Sequence, residues 1–506
     1  MPKDKSRAFL WTGLLLAAFV VRVFVAFYWD SLSARLVAEK NDAQTQKKDD
    51  SSPTFFFGDS DSYWQLGRAI AFRRPYEFDD TRHWRIFRTP GYPVVLAPIF
   101  LLFGENPPVI VARLQGACFG TLNVGLVGLL AWTLLRFPRN DRAWIPLLSG
   151  CIAAFDPALV FQSVLVLSEE TFLTAALVQN LLAIQLGRHL GLLPFPSRDM
   201  SVFKRRPVFI EWSRPKSFGR LDIMKSSFWL SLATAATIYL RPGWYYYLPF
   251  ALFIILSFRL VFGQVHEIDD FHYSSRANFF SWTKLVFATT ATLCFTFLAL
   301  EPWIARNYRL TGRFVPTSLQ MGASLYDGLN PLATGASDMK FVDDFRKAEA
   351  LESSESSGAN FEVRLDERMK EAAINWARKH PRKTLELSLI KIYRLWAPLP
   401  RERAFTASFI KVCLSVSFIP VFFLGALGAI RSFGRKGAAW ILLIPALYIT
   451  GLHSIFVSSI RYRTPAMCGF AILASYWLIS SLTLIIPNRQ RSNESQRTTT
   501  DRDFPK

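Results

Sequence analysis

Apolar residues along this chain are gathered into long blocks, not spaced at the two-residue period of a strand or the three-to-four-residue period of an amphipathic helix. The blocks run over Phe9–Tyr28, Ile110–Leu135, Phe228–Leu240, Phe250–Phe262, Leu285–Leu300, Val412–Ile430, Trp440–Ile455 and Ala466–Ile486. Their lengths approach the ~20 residues a helix needs to cross the hydrocarbon core of a bilayer. In lipid such a run must be helical, because its backbone N–H and C=O groups find no water and have to pair within the segment. The pattern therefore predicts an all-α, polytopic transmembrane bundle of about ten spans, with both termini on the cytoplasmic side. Tyr92–Phe103 is broken by Pro93 and Pro98 and, at about 12 residues, reads as a re-entrant or surface helix.

Polar stretches divide the bundle. The reading is a transmembrane core over 1–301 containing a first outer loop, 30–107, then an outward-facing region, 302–402, and C-terminal spans over 403–486. The polar tail 487–506 reads as a disordered cytoplasmic segment. Within the outer region, Ser353, Ser354, Ser356, Ser357 and Gly358 form a short flexible linker in 351–358. Phe361–His380 follows as a soluble amphipathic helix, with Leu365, Met369, Ala372 and Trp376 on one face and Pro381 ending it.

Composition agrees: 51% of the 506 residues are hydrophobic and 15% aromatic. The net charge of +20, from 59 Lys+Arg and 39 Asp+Glu, would point to nucleic acid in a soluble protein. Its distribution argues for membrane orientation instead. Residues 188–225 hold nine Lys/Arg against three acids, whereas 30–106 hold ten against eleven. Short basic connectors recur at Arg136/Arg139/Arg142 and Arg431/Arg435/Lys436, as the positive-inside rule expects. Lys3, Lys5 and Arg7 precede the first block, but its length, its Arg22 and its bulky end at Phe27, Tyr28 and Trp29 favour a retained span over a cleaved signal. The five cysteines, Cys118, Cys151, Cys294, Cys413 and Cys468, lie in apolar surroundings without metal or redox spacing. No internal repeat is present, which counts against a secondary transporter.

Candidate chemistry collects at the ends of spans. Asp59 and Asp61 open a segment with Tyr63 and Trp64; a helix starting there puts Asp59 and Tyr63 on one face. Paired carboxylates serve as general bases or cation ligands, and the competing role is capping of the helix N-terminus. Glu169 and Glu170 stand together at the start of an apolar helix, where one acid would suffice as a cap and two are costly at a lipid interface. Arg88, Arg241, Arg306, Lys391, Arg394, Arg461 and Arg463 lie near other span ends with Trp303 and His453. For any single cation, snorkelling to the interface is the simpler role. Gathered at one leaflet with carboxylates, they read as a site for a phosphate-bearing lipid.

Five motifs in chain order carry a family resemblance: Asp59-x-Asp61-x-Tyr63, Arg88-Thr-Pro-Gly-Tyr-Pro93, Ser168-Glu169, Pro302-Trp-x-x-Arg306-Asn-Tyr308 and Arg461-Tyr-Arg463-x-Pro465. The chain resembles GT-C type polytopic membrane glycosyltransferases, in the branch of protein O-mannosyltransferases and aminoarabinose transferases. The resemblance implies a polyprenyl-phosphate sugar donor, a lipid, glycan or protein acceptor, and no nucleic acid. It makes Asp59 the leading catalytic acid ahead of Asp61, with Glu169 or Glu170 as the second. Arg306, Lys391 and Arg461, then Arg88, Arg394, Arg463 and Arg241, are the expected phosphate ligands. Tyr63, Trp64, Trp303 and His453 are the expected substrate contacts. A divalent cation on Asp59, Asp61 and Glu169 is left open. The implied location is the bacterial cytoplasmic (inner) membrane, with the active site facing the periplasm and contacting membrane lipids. A transporter or lipid flippase is the alternative; it would need charge near the bilayer midplane, where Arg22 is the one clear instance.

The topology makes a direct prediction. A cysteine placed at Ser52, in the first outer loop, should react with membrane-impermeant reagent in intact spheroplasts. Protection of that cysteine until the membrane is opened would reverse the orientation.

Overall fold

The computed structural model of the chain describes residues 2–42, 55, 58–79, 83–136, 144–193, 208–209, 219–262, 281–352, 358–399, 408–433 and 438–485. In order, the helices are α1 (Pro2–Asp42), α2 (Gly58–Ala71), α3 (Gly91–Phe103), α4 (Val109–Leu134), α5 (Trp144–Phe155) and α6 (Pro157–Ser163). They continue with α7 (Glu169–His189), α8 (Arg220–Leu240), α9 (Tyr247–Phe262), α10 (Trp282–Thr311), α11 (Met321–Gly328) and α12 (Phe341–Glu352). The last are α13 (Ala359–Lys379), α14 (Pro381–Trp396), α15 (Ser408–Phe433), α16 (Ile444–Ile455) and α17 (Thr464–Ile485). Two two-residue strands, Leu135–Arg136 and Val208–Phe209, pair antiparallel. The polar tail, Ser353 to Ser357 of the linker, Ser52, Arg139, Arg142, Arg435, Lys436 and most of the basic stretch 188–225 lie outside the described residues.

The chain is an integral membrane protein of the helical class. Among the described residues, five helices are long and apolar enough to cross a bilayer, or six if the bent pair α5–α6 is one span. That is fewer than the ten expected. The difference lies in α7 and α8, which have 21 residues each but carry Glu169, Glu170, Gln179, Asn180 and Asp222, Lys225 along them. It lies also in the shorter apolar helices Gly91–Phe103, Pro242–Phe258 and Trp440–Ile455.

Lipid tails are as apolar as leucine, so spans associate through close packing and hydrogen bonds, not through a hydrophobic drive. The buried polar side chains show this. Gln179 of α7 donates to Thr234 of α8 (3.0 Å) and accepts from the Trp244 indole (2.8 Å). The Tyr247 hydroxyl of α9 donates to Asn180 (2.5 Å), and Ser231 of α8 donates to the Thr292 carbonyl of α10 (2.9 Å). Each such bond contributes about 0.6–2 kcal/mol in a bilayer. Arg22, the mid-span charge, is fully buried and donates to the carbonyls of Ala18, Ala153 and Ala154. The 60° bend between α5 and α6 frees those last two carbonyls, and Asp156 caps the N-terminus of α6 through the amides of Ala158 and Leu159. Arg22 is thus a staple across a helix break, which removes the observation a transport pathway would have needed.

The outer segments pack on one another. The buried stripe of α13 is Phe361, Leu365, Met369 and Ala373 (Ala373 in place of the expected Ala372), set against Trp84, Ala323 and Val342. Pro381 begins α14 directly after α13 ends, as its fixed φ favours at a first helical position. α2 and α3 fold onto each other, with Trp64 wedged against Phe100 (ring centroids 4.8 Å).

Gly91, the first residue of α3, presses against the last turn of α8. A Cβ at Gly91 would lie 2.4 Å from the Tyr239 carbonyl. Gly91→Ala should therefore drive apart the two segments that carry Arg88 and Arg241, costing about 1–3 kcal/mol as overpacking does. The check is the melting temperature in detergent, which should fall for Gly91→Ala and stay put for a control at exposed Lys347→Ala on α12.

Candidate functional site

Four helix ends meet at one end of the bundle. Asp59 lies in the first turn of α2, Glu169 in the first turn of α7, Arg241 at the C-cap of α8, and Arg461 in the 3-10 turn leading into α17. Arg88 joins them from the segment before α3. Its Nη2 donates to Asp59 Oδ1 at 2.5 Å and its Nη1 to Gln320 at 3.3 Å. Arg241 Nη2 lies 2.7 Å from Glu169 Oε1, and Arg461 Nη1 lies 3.6 Å from the same oxygen. The Arg88 guanidinium beside Asp59 holds its carboxyl below the usual carboxylate range, with Arg461 and Arg241 adding to the effect. The Asp59 side chain is 44% exposed and that of Glu169 only 7%, so Asp59 is the carboxylate a ligand can reach.

Aromatic rings hold the cations in place. Arg88 lies over Tyr63 (5.3 Å), which meets Tyr92 edge-on. Arg241 and Arg461 both lie over Tyr462, at 5.2 and 5.5 Å. His453 stacks on Tyr462 at 4.5 Å and bonds the Val457 carbonyl through Nδ1. Tyr462 was not singled out in the sequence, although it sits inside the Arg-Tyr-Arg motif; neither were Gln320 and Glu362.

Of the expected residues, the structure brings together Asp59, Arg88, Glu169, Arg241, Arg461, Tyr63 and His453. It sends others elsewhere. Asp61, two residues on from Asp59 and so on another helix face, accepts from Gln65 (3.3 Å). Glu170 turns into the bundle and accepts from Asn123 (2.8 Å). Lys391 is fully buried and donates to the Ile455 carbonyl at the end of α16. Arg463 donates to the Leu395 and Ala397 carbonyls at the end of α14. Arg394 packs its stem near Gly335. Trp64 fills the core, and Trp303 donates to the Thr317 carbonyl. Arg306 donates to the carbonyls of Tyr76 and Arg85, apart from the cluster. Among the described residues no three His, Cys, Asp or Glu side chains are grouped to hold a metal. Asp59 and Glu169 each face guanidinium, so the Asp59, Asp61 and Glu169 set does not fit a divalent cation.

Three guanidinia against two carboxylates leave one net positive charge in a site rimmed by tyrosines. Planar guanidinia bind oxyanions bidentately, so the arrangement suits an anion such as a phosphate next to a reachable carboxylate.

No family model matches the chain, and no curated protein does. Among solved structures it is similar to the archaeal oligosaccharyltransferase AglB from Archaeoglobus fulgidus, in complex with an inhibitory peptide and a dolichol-phosphate. That likeness has 14% identity and a TM-score of 0.46, and covers 94% of this chain and 52% of the other. The chain thus spans about half the length of that enzyme. It is also similar to ArnT from Cupriavidus metallidurans bound to undecaprenyl phosphate, with 12% identity and a TM-score of 0.32, over 93% of this chain and 78% of that one.

The segment that presents Arg88 is held from outside. Glu362 of α13 accepts from the backbone amides of Arg85 (2.6 Å) and Ile86 (3.0 Å), and Ile86 in turn accepts from the Leu319 amide. Burial pushes the Glu362 carboxyl up to about 7, against the two amides that favour its ionised form. A carboxyl raised above its unfolded value binds more protons folded than unfolded, so stability falls as pH rises between the two values. The melting temperature in detergent should therefore decline from about pH 4.5 to about pH 7, the window between those values. Glu362→Gln should flatten that decline, and an unchanged slope in the Gln variant would assign the pH dependence to another group.

Proposed function

We propose that this chain is a membrane glycosyltransferase that takes a sugar from a polyprenyl-phosphate carrier at the outer face of a bacterial cytoplasmic membrane. The observation that carries the reading is the single reachable carboxylate, Asp59, set beside three guanidinia that retain one net positive charge. The acceptor, a hydroxyl or amine of a lipid, glycan or protein, attacks the anomeric carbon of the sugar. The bond from that carbon to the phosphate oxygen breaks, and the electron pair leaves on the polyprenyl phosphate. Arg88, Arg241 and Arg461 stabilise the charge that develops there, from fixed positions in a site of low dielectric. The acceptor proton passes to Asp59. One displacement inverts the anomeric centre.

Asp59 alone is a weak base, because Arg88 depresses its proton affinity. Binding of the donor phosphate supplies a second negative charge to Arg88, Arg241 and Arg461. The field on Asp59 then weakens, and its basicity rises when the donor is in place. Glu169 acts differently: it is buried and held by two arginines, so it orients them.

Asp59→Asn tests the assignment. If Asp59 only caps α2, Asn replaces it with almost no loss, since Asn caps nearly as well. As a base it cannot be replaced by Asn, and turnover should fall by about 10²–10⁴-fold. The measurement is sugar transfer from polyprenyl-phosphate sugars in membranes, followed by mass spectrometry, with the detergent melt as the folding control. A stable Asn variant with full turnover would take Asp59 out of the chemistry.

A further inference from the structure

A cavity of about 400 Å³ opens beside the C-terminal end of α10, lined by Pro75, Tyr76, Glu77, Arg85, Arg306, Arg309 and Leu310. Three of its residues are arginines and one is acidic. Glu77 is already taken by Arg85, at 3.0 Å. Arg306 donates to the neutral carbonyls of Tyr76 and Arg85 and to the Asn307 side chain, lies over the rings of Trp303 and Tyr76 at 4.6 and 5.2 Å, and has no direct ion pair, although the Glu362 carboxylate acts on it from a distance. Arg309 is exposed, and its guanidinium has no ion pair or hydrogen bond among the described residues. With Glu362 counted beside Glu77, three cations against two acids leave one net positive charge at a hollow with an apolar wall.

We propose that this cavity binds a phosphate ester, distinct from the donor phosphate bound at the Asp59 cluster. The chemistry follows from the lining. Guanidinia in a partly enclosed hollow select oxyanions, and Arg306 and Arg309, neither of them in a direct ion pair, can converge on the several oxygens of a phosphate. The volume falls in the range of small-molecule sites, leaving room for the glycerol or sugar that carries the phosphate. Exposed Tyr308, Leu310 and Phe314 adjoin the cavity at the end of a span, so a bilayer lipid headgroup and a soluble phosphate ester both have access. Tyr76 joins the two sites: its ring lines the cavity, and its hydroxyl donates to the Arg88 carbonyl at 3.2 Å. An occupant therefore sits against the residue that fixes the Asp59–Arg88 pair.

The test reads binding and not turnover, so its failure leaves the transferase reading standing. The full chain is placed in nanodiscs of phosphatidylcholine with or without phosphatidylglycerol, and lipid retained after extraction is counted by native mass spectrometry. Inorganic phosphate is titrated in parallel against the melting temperature. Arg309→Glu is the informative variant, because Arg309 is exposed and braces nothing, whereas Arg306 variants could fail to fold. Retention of phosphatidylglycerol over phosphatidylcholine, lost roughly tenfold or more in Arg309→Glu, supports the site with a lipid as its source. Stabilisation by inorganic phosphate that Arg309→Glu abolishes supports it with a soluble ester as the source. Equal retention of both lipids with no response to phosphate, or binding unchanged in a folded Arg309→Glu, overturns it.

Discussion

Arg241 and Arg461 come from opposite halves of the chain and converge on one oxygen of Glu169. Each segment alone would carry its charge out toward solvent. Paired through Glu169, the C-cap of α8 and the turn before α17 are fixed against the N-terminus of α7, and the floor of the site exists because of that contact. Helix dipoles help in three of four places. Asp59 and Glu169 stand at helix N-termini and Arg241 at a C-terminus, where the partial charges favour them. Arg461 stands at the positive end of α17, against its dipole, and Glu169 and Asp59 offset the cost. That placement adds the α17 dipole to the cationic field, which strengthens attraction for an anion brought to the site.

The remaining buried cations do another job. Arg22, Lys391 and Arg463 donate to backbone carbonyls. Arg22 sits at the bent junction of α5 and α6, and Lys391 and Arg463 sit at the ends of α16 and α14. In an apolar surrounding, carbonyls left open by a break must be satisfied, and a long cationic side chain reaches them from another helix. Arg88, Arg241 and Arg461 face carboxylates instead, and a carboxylate can exchange its partner for a phosphate where a trapped carbonyl cannot. Partner chemistry separates cations that hold the fold from those free to bind.

This sorting was out of reach of the sequence, where a cation near a span end looks the same in every role. The helical membrane class, the amphipathic α13 and the turn of chain at Pro381 were legible, because each rests on local spacing or on a residue with fixed backbone demands. The Asp59 and Tyr63 pair on one face was legible for the same reason. The choice between Glu169 and Glu170 was not: neighbours on a helix point about 100° apart, and which direction faces the cluster depends on how α7 packs on α4 and α8. Arg306, Lys391 and Arg461 head the phosphate ligands expected from the sequence and Arg241 stands last; the structure sets Arg461 and Arg241 together at Glu169 and turns Lys391 and Arg306 to backbone carbonyls. Among the described residues α7 and α8 do not pass as spans on apolar content, because they carry polar residues such as Gln179 and Thr234, which pair across the two helices.

Arg88 differs from the other two cluster arginines in what fixes it. Arg241 and Arg461 are built into the ends of spans, but Arg88 lies on an extended segment gripped by Glu362 of α13, by the Leu319 amide and by the Tyr76 hydroxyl. All three contacts come from the outer layer. Donor phosphate would therefore meet two cations set rigidly by the bundle and one set by the loops that an acceptor must approach. Since Arg88 also lowers the proton affinity of Asp59, on the proposed reading a shift of these segments would change the base and one phosphate ligand together. The donor half of the proposed site would then rest with the membrane helices, and control of the base with the region outside them.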